Sequence, residues 1–110
     1  MNAVIAEREL GYSSLGSTVL GRVAIGAPEP DQNDWRCEYQ IDYPGLNIRR
    51  RVVGLDSFQA LHLAMEAAVA EVARSSAFKA GHLTIFGEPI LTHDDLKQTF
   101  GVTHILGIDP

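Results

Sequence analysis

The longest unbroken alternation in the chain runs from Trp35 to Tyr43, where Trp35, Cys37, Tyr39, Ile41 and Tyr43 interleave with Arg36, Glu38, Gln40 and Asp42. A period of two with aromatic and β-branched residues on one side predicts a half-buried strand. Pro44-Gly45 turns the chain, and Leu46 to Val53 returns as the partner strand. A two-residue loop (Pro44-Gly45) and a four-residue loop (Tyr43 to Leu46) predict the same register, and the longer loop suits an L-proline better. Ile41 then faces Ile48, Cys37 faces Val52, and Glu38 faces Arg51 as an opposite-charge pair.

Upstream, Ala3 to Leu10 reads as a first strand, Gly11 to Ser17 as a Gly- and Ser-rich loop, and Thr18 to Ile25 as a second strand. On that second strand Val19, Gly21, Val23 and Ile25 share a face, and Gly21 marks a bulge or a close backbone approach. Gly26 to Asp34, with Pro28 and Pro30 among acids and amides, reads as a loop without regular structure.

After Gly54-Leu55 the period changes. Phe58, Leu61, Met65, Ala68 and Val72 recur at spacings of three and four, which predicts an amphipathic helix. It starts at Asp56 or Ser57, capped by Asp56 with Gln59, and ends between Ser75 and Ala80 ahead of Gly81. Its apolar stripe is expected to cover the sheet face of Trp35, Tyr39, Ile41, Val23 and Ile25, since neither surface is stable in water. Leu83 to Phe86 reads as a short strand. Thr92 and Asp95 open a short helix carrying Leu96 and Phe100, Gly101 stops it, and Val102 to Ile108 reads as extended.

The elements add up to an α+β fold: an antiparallel four-stranded meander sheet, one long amphipathic helix packed on one face, and a short C-terminal strand/helix extension. Residues 1–110 form one domain, with a core over about 3–80 and the extension over 81–110. Hydrophobic residues at 45% and charged residues at 21% are ordinary globular usage.

A net charge of −5 argues against a non-specific nucleic-acid binder, which needs a basic surface to displace phosphate counterions. The single cysteine, Cys37, can form no intramolecular disulfide, which favours a reducing compartment. The first residues lack the basic start and apolar run of a signal peptide, and no stretch approaches the roughly 20 apolar residues of a membrane span. The expectation is a cytoplasmic protein that engages no membrane.

Candidate chemistry is sparse. His62 and Glu66 have the i, i+4 spacing of helical metal ligands, but no second histidine completes the set, so they read as a polar helix edge. His93-Asp94-Asp95 is better explained by carboxylates at a helix start than by a metal pair. Cys37 lies between Trp35 and Tyr39 on the apolar face of the best strand, where a thiol is inert. The glycines match no phosphate-binding loop. No metal or cofactor is expected.

The one basic cluster is Arg49-Arg50-Arg51. Arg49 and Arg51, with Arg22 and Arg36 on neighbouring strands, form a candidate cationic strip for an anion or an acidic partner. Glu38 and Asp42 share that face, so a solvated, internally paired surface is the competing reading. On the helix, Leu63, Ala67 and Ala70 make a second apolar row, a candidate homodimer interface unless the C-terminal segment covers it with Ile90, Leu91, Phe100 and Ile105.

Four motifs form an ordered set: Ile5-Ala6-Glu7-Arg8-Glu9-Leu10, Ile25-Gly26-Ala27-Pro28-Glu29-Pro30, Asp34-Trp35-Arg36-Cys37, and Gly54-Leu55-Asp56-Ser57-Phe58-Gln59-Ala60-Leu61. Over roughly residues 5 to 75 the chain resembles a family of small bacterial proteins grouped as a domain of unknown function. The resemblance implies a bacterial source and carries no activity or catalytic residue. The functional expectation is therefore a non-catalytic binding or accessory module acting through protein–protein contact with itself or another protein, an immunity-type role included. A small-molecule or anion-binding domain using the sheet face near Arg49 to Arg51 comes second, and an enzyme third.

Overall fold

In the computed structural model, which describes residues 1–109, the chain runs through β1 (Val4–Ser14), β2 (Ser17–Gly26), β3 (Glu29–Asp31), β4 (Asp34–Tyr43) and β5 (Leu46–Gly54). It continues through α1 (Ser57–Arg74), α2 (Ser76–Lys79), β6 (Leu83–Ile85), β7 (Glu88–Pro89) and α3 (His93–Phe100). The fold is α+β with an antiparallel sheet and a helix packed on it, but with seven strands and three helices among the described residues rather than four strands and one long helix. The sheet order is β5-β4-β2-β1-β6-β7, with β3 also paired to the first residues of β4.

Two differences arise at turns. Leu15 and Gly16 both take positive φ, 52° and 80°, and close a two-residue turn, so the expected Gly11–Ser17 loop is mostly strand. Leucine is a poor left-handed residue, which hides this turn from inspection. Within the expected Gly26–Asp34 loop, Gln32 at φ 58° folds Glu29–Asp31 back onto Asp34–Arg36. Pro30 is tolerated there because β3 is a three-residue edge strand.

The β4–β5 register is the expected one, with Ile41 opposite Ile48, Cys37 opposite Val52 and Glu38 opposite Arg51. The loop is the two-residue Pro44-Gly45, with Gly45 at φ 90° as the second position of a proline-led type II turn requires. Glu38 does not pair with Arg51; its carboxylate lies 3.9 Å from Arg49 and 3.7 Å from the Met1 amino group. Gly21 is a close approach, since a Cβ there would lie 2.5 Å from the Asp42 carbonyl oxygen. The bulge in β1–β2 falls instead between Val4 and Ala6.

α1 packs mainly on β4 and β5. Its buried positions are Ala60, Ala64, Ala68, Val69, Ala70, Val72 and Ala73, so the stripe is rotated from the expected one. Phe58 is 83% exposed, while Leu61 and Met65 are half-buried. The cause is steric. Gly54 brings β5 so close that a Cβ on it would sit 2.5 Å from the Ala60 nitrogen, and only small side chains fit between.

Both expected caps form. Asp56 Oδ1 accepts from the Gln59 amide at 2.7 Å, Thr92 and Asp95 make a reciprocal capping box, and Gly101 closes α3 at φ 68°. Leu83, Ile90, Leu96 and Ile105 are fully buried in the same core as β4 and α1. Residues 102–108 form no strand, and Leu106, Gly107 and Ile108 make a turn.

Candidate functional site

β1 divides into two halves. Gly11 and Tyr12 pair with β6, and the Ser13 amide donates to the His82 carbonyl at 2.7 Å. Phe86 and Gly87, at φ 50° and 80°, then turn the chain into β7, so the hairpin ends before it reaches Glu9. Val4–Glu9 are all exposed, and among the described residues they pair only with β2. Alternation along an antiparallel strand settles which groups are free. Gly11 and Ser13 turn their backbone toward β6, so Glu7 and Glu9 turn theirs to solvent on that same edge.

Because α1 sits over β4 and β5, a groove remains between it and this half of β1. It has a volume of about 250 Å³ and is lined by Ile5, Ala6, Arg8, Val23, Ile25, Leu61, Met65, Ala68, Val69 and Phe100. Glu7 also borders it. Arg8 has no ion-pair or hydrogen-bond partner among the described residues. A wider hollow of about 670 Å³ beside the Pro44-Gly45 turn is open, and its cation, Arg22, already holds Glu7. The narrower apolar groove is the better candidate, because apolar lining with few polar groups characterises binding sites.

The sheet face opposite α1 carries the expected arginines. Arg22 donates to Glu7 at 3.0 Å and to Gln40 at 3.2 Å, Arg36 donates to Glu29 at 3.3 Å, and Arg49 lies 3.9 Å from Glu38. Arg51 alone of the four has no partner among the described residues. On the helix row, Leu63 and Ala67 are half-buried and Ala70 is buried within the chain. Exposed ion pairs of this kind contribute at most about 1 kcal/mol each.

The other candidate side chains singled out in the sequence have structural partners. His62 and Glu66 pair on the helix surface. His93 stacks on Phe78 with ring centroids 5.7 Å apart. The Asp95 carboxyl is held below the usual carboxylate range by the Leu91 and Thr92 amides that donate to it. Burial, then the Glu38 charge, pushes the Cys37 thiol up, away from the reactive thiolate. Among the described residues no three His, Cys, Asp or Glu side chains are placed to hold a metal ion.

Three polar contacts between helix and hairpin were not anticipated. Glu71 receives the Tyr39 hydroxyl at 3.3 Å and lies 2.8 Å from Arg50 and 3.4 Å from Arg74. Tyr43 donates to Ser75 Oγ at 2.8 Å, and burial pushes its phenol up to about 12. The spacing Ala60, Ala64, Ala67, Glu71 carries the small-residue stripe straight to that carboxylate, opposite Tyr39 and Arg50 across the hairpin, a signal available in the chain.

Over residues 6–92 the chain matches the family described as a domain of unknown function (DUF6968). No curated protein and no solved structure matches it.

Proposed function

The chain belongs to this family, and we propose that it is a non-catalytic binding or accessory module acting through protein–protein contact at the uncovered half of β1 and its groove. The observation that carries this reading is the bare strand edge at Val4–Glu9 beside an apolar groove. Proteins normally cover, shorten or charge such edges, because an unpaired edge invites another strand. The sheet's end strand β7 is blunted in that way, having two residues of which one is Pro89. The reading places the protein in a bacterial cytoplasm, on the family resemblance and on a thiol with no second cysteine to oxidise with.

Site-specific photo-crosslinking tests it: a benzophenone side chain replaces Ile5, 50% exposed, or Leu15, fully exposed at the far turn. A discrete protein adduct from position 5 and none from position 15 is expected. Equal labelling from both positions, or none from position 5, overturns the reading. An adduct of twice the chain mass identifies the partner as a second copy.

A homodimer on the row of Leu63, Ala67 and Ala70 is the second form of protein contact, offered by the half-buried Leu63 and Ala67, since Ala70 is already buried within the chain. Light scattering over a wide dilution range checks it; a dimer that Ala67→Glu converts to a folded monomer places the interface on α1. Anion binding by Arg22, Arg36, Arg49 and Arg51 ranks behind both, since three of these already hold a carboxylate.

A further inference from the structure

We infer that the bare half of β1 accepts an added strand, an extended segment of another protein in which basic and apolar residues alternate. This rests on the protein-contact reading and names the partner's chemistry. The outward N–H and C=O groups of Glu7 and Glu9 are the donors and acceptors that such a strand needs. The space it would occupy lies in line with β6, whose hairpin stops short at Phe86.

The side chains set the pattern. Residues opposite one another in an antiparallel pair point to the same face. Glu7 lies opposite Ala24, away from α1, and Glu9 shares that face. Glu9 has no partner among the described residues, and Glu7 has only Arg22, so basic side chains on an added strand meet two carboxylates there. On the other face lie Ala6, the groove and Arg8, which is unpaired among the described residues. The small Ala6 leaves room for an apolar side chain to reach Ile25, Leu61 and Met65.

Charge argues against a second copy in this place. A two-fold pairing of β1 with itself sets Glu7 against Glu7, Glu7 against Glu9, or, with the axis at Ala6, the bulge around Ile5 into the ladder. Charge also sets this edge apart from the other long one. β5 carries Arg49, Arg50 and Arg51 and repels a basic segment.

The test uses the full chain and three synthetic hexapeptides: alternating Lys and Val, alternating Glu and Val, and the Lys-Val peptide N-methylated at alternate residues. Saturable binding of the Lys-Val peptide alone is expected, with amide exchange at Glu7 and Glu9 slowed about tenfold or more and β5 unchanged. Glu7→Pro removes an N–H that β2 does not use, and it abolishes this protection while the fold persists. Binding that survives both Glu7→Pro and N-methylation, protection on β5, or no binding by any peptide overturns the inference. So does a free protein that is already dimeric with Glu7 and Glu9 protected. If the peptides fail while position 5 still crosslinks to a protein, the contact stands and strand addition falls.

Discussion

The two flanks of α1 meet the sheet by opposite means. Toward β5 the helix presents Ala60 and Ala64, both fully buried, and Gly54 lets the backbones almost touch. Glu71 and Ser75 then tie that flank to Tyr39, Arg50 and Tyr43 by polar contacts. Toward β1 the helix presents Leu61 and Met65, with Phe58 beyond them in solvent, and the space below them stays open as the groove. The larger side chains therefore line the opening and the smallest form the packed seam. Close-packed small residues fix position, whereas large apolar residues held off the sheet leave surface that another molecule can cover.

Breaking the packed flank has the largest expected effect. Gly54→Val puts a branched side chain where even a Cβ lies 2.5 Å from the Ala60 nitrogen. The loss should reach the top of the roughly 1–3 kcal/mol range for overpacking or exceed it. The thermal midpoint should fall by about 10 °C or more. A midpoint unchanged from wild type would show that α1 does not rest on Gly54.

The polar seam gives the next effect, and it depends on pH. The folded chain holds the Tyr43 phenol neutral up to about 12, against the ordinary tyrosine value of 10.0. A group whose pKa is raised on folding stabilises fully below the unfolded value and loses that contribution as pH climbs through the folded one. Wild type should therefore lose roughly 2–3 kcal/mol relative to Tyr43→Phe between pH 10 and 12. Near neutrality the variant should be about 1 kcal/mol less stable, having lost the bond to Ser75. Urea melts of both proteins at neutral pH and across the alkaline range check the sign; parallel curves would place Tyr43 in solvent.

The open flank should respond least. Leu61→Ala removes a half-buried side chain and should cost about 1–2 kcal/mol, below the 2–5 kcal/mol of a fully enclosed leucine. Phe58→Ser should stay within about 0.5 kcal/mol. If the two cost the same in denaturant melts, the helix is rotated toward the stripe its periodicity suggests.

That stripe shows how periodicity misleads. Phe58, Leu61, Met65, Ala68 and Val72 carry the greatest hydrophobicity at helical spacing, but hydrophobicity does not report how near the next backbone comes. The arginine strip shows a similar gap. Strand alternation puts Arg22, Arg36, Arg49 and Arg51 on one face, but pairing with Glu7, Glu29 and Glu38 depends on neighbours across three separate strand pairs. The groove was not legible at all, since it is bounded by the first strand, α1 and Phe100 of α3.

Local rules carried the β4–β5 register, the caps at Asp56 and Thr92, and the stop at Gly101, because each depends on residues within one hairpin or one helix turn. The same rules marked Gly21 as a bulge or a close approach, without deciding between them or naming Tyr43 and Asp42 as what it approaches. The length of β6, the rotation of α1 and the bare edge at Glu7 and Glu9 depend on how distant segments pack. No spacing along one strand encodes where its neighbour stops. That stopping point, the turn at Phe86-Gly87, leaves half of β1 open.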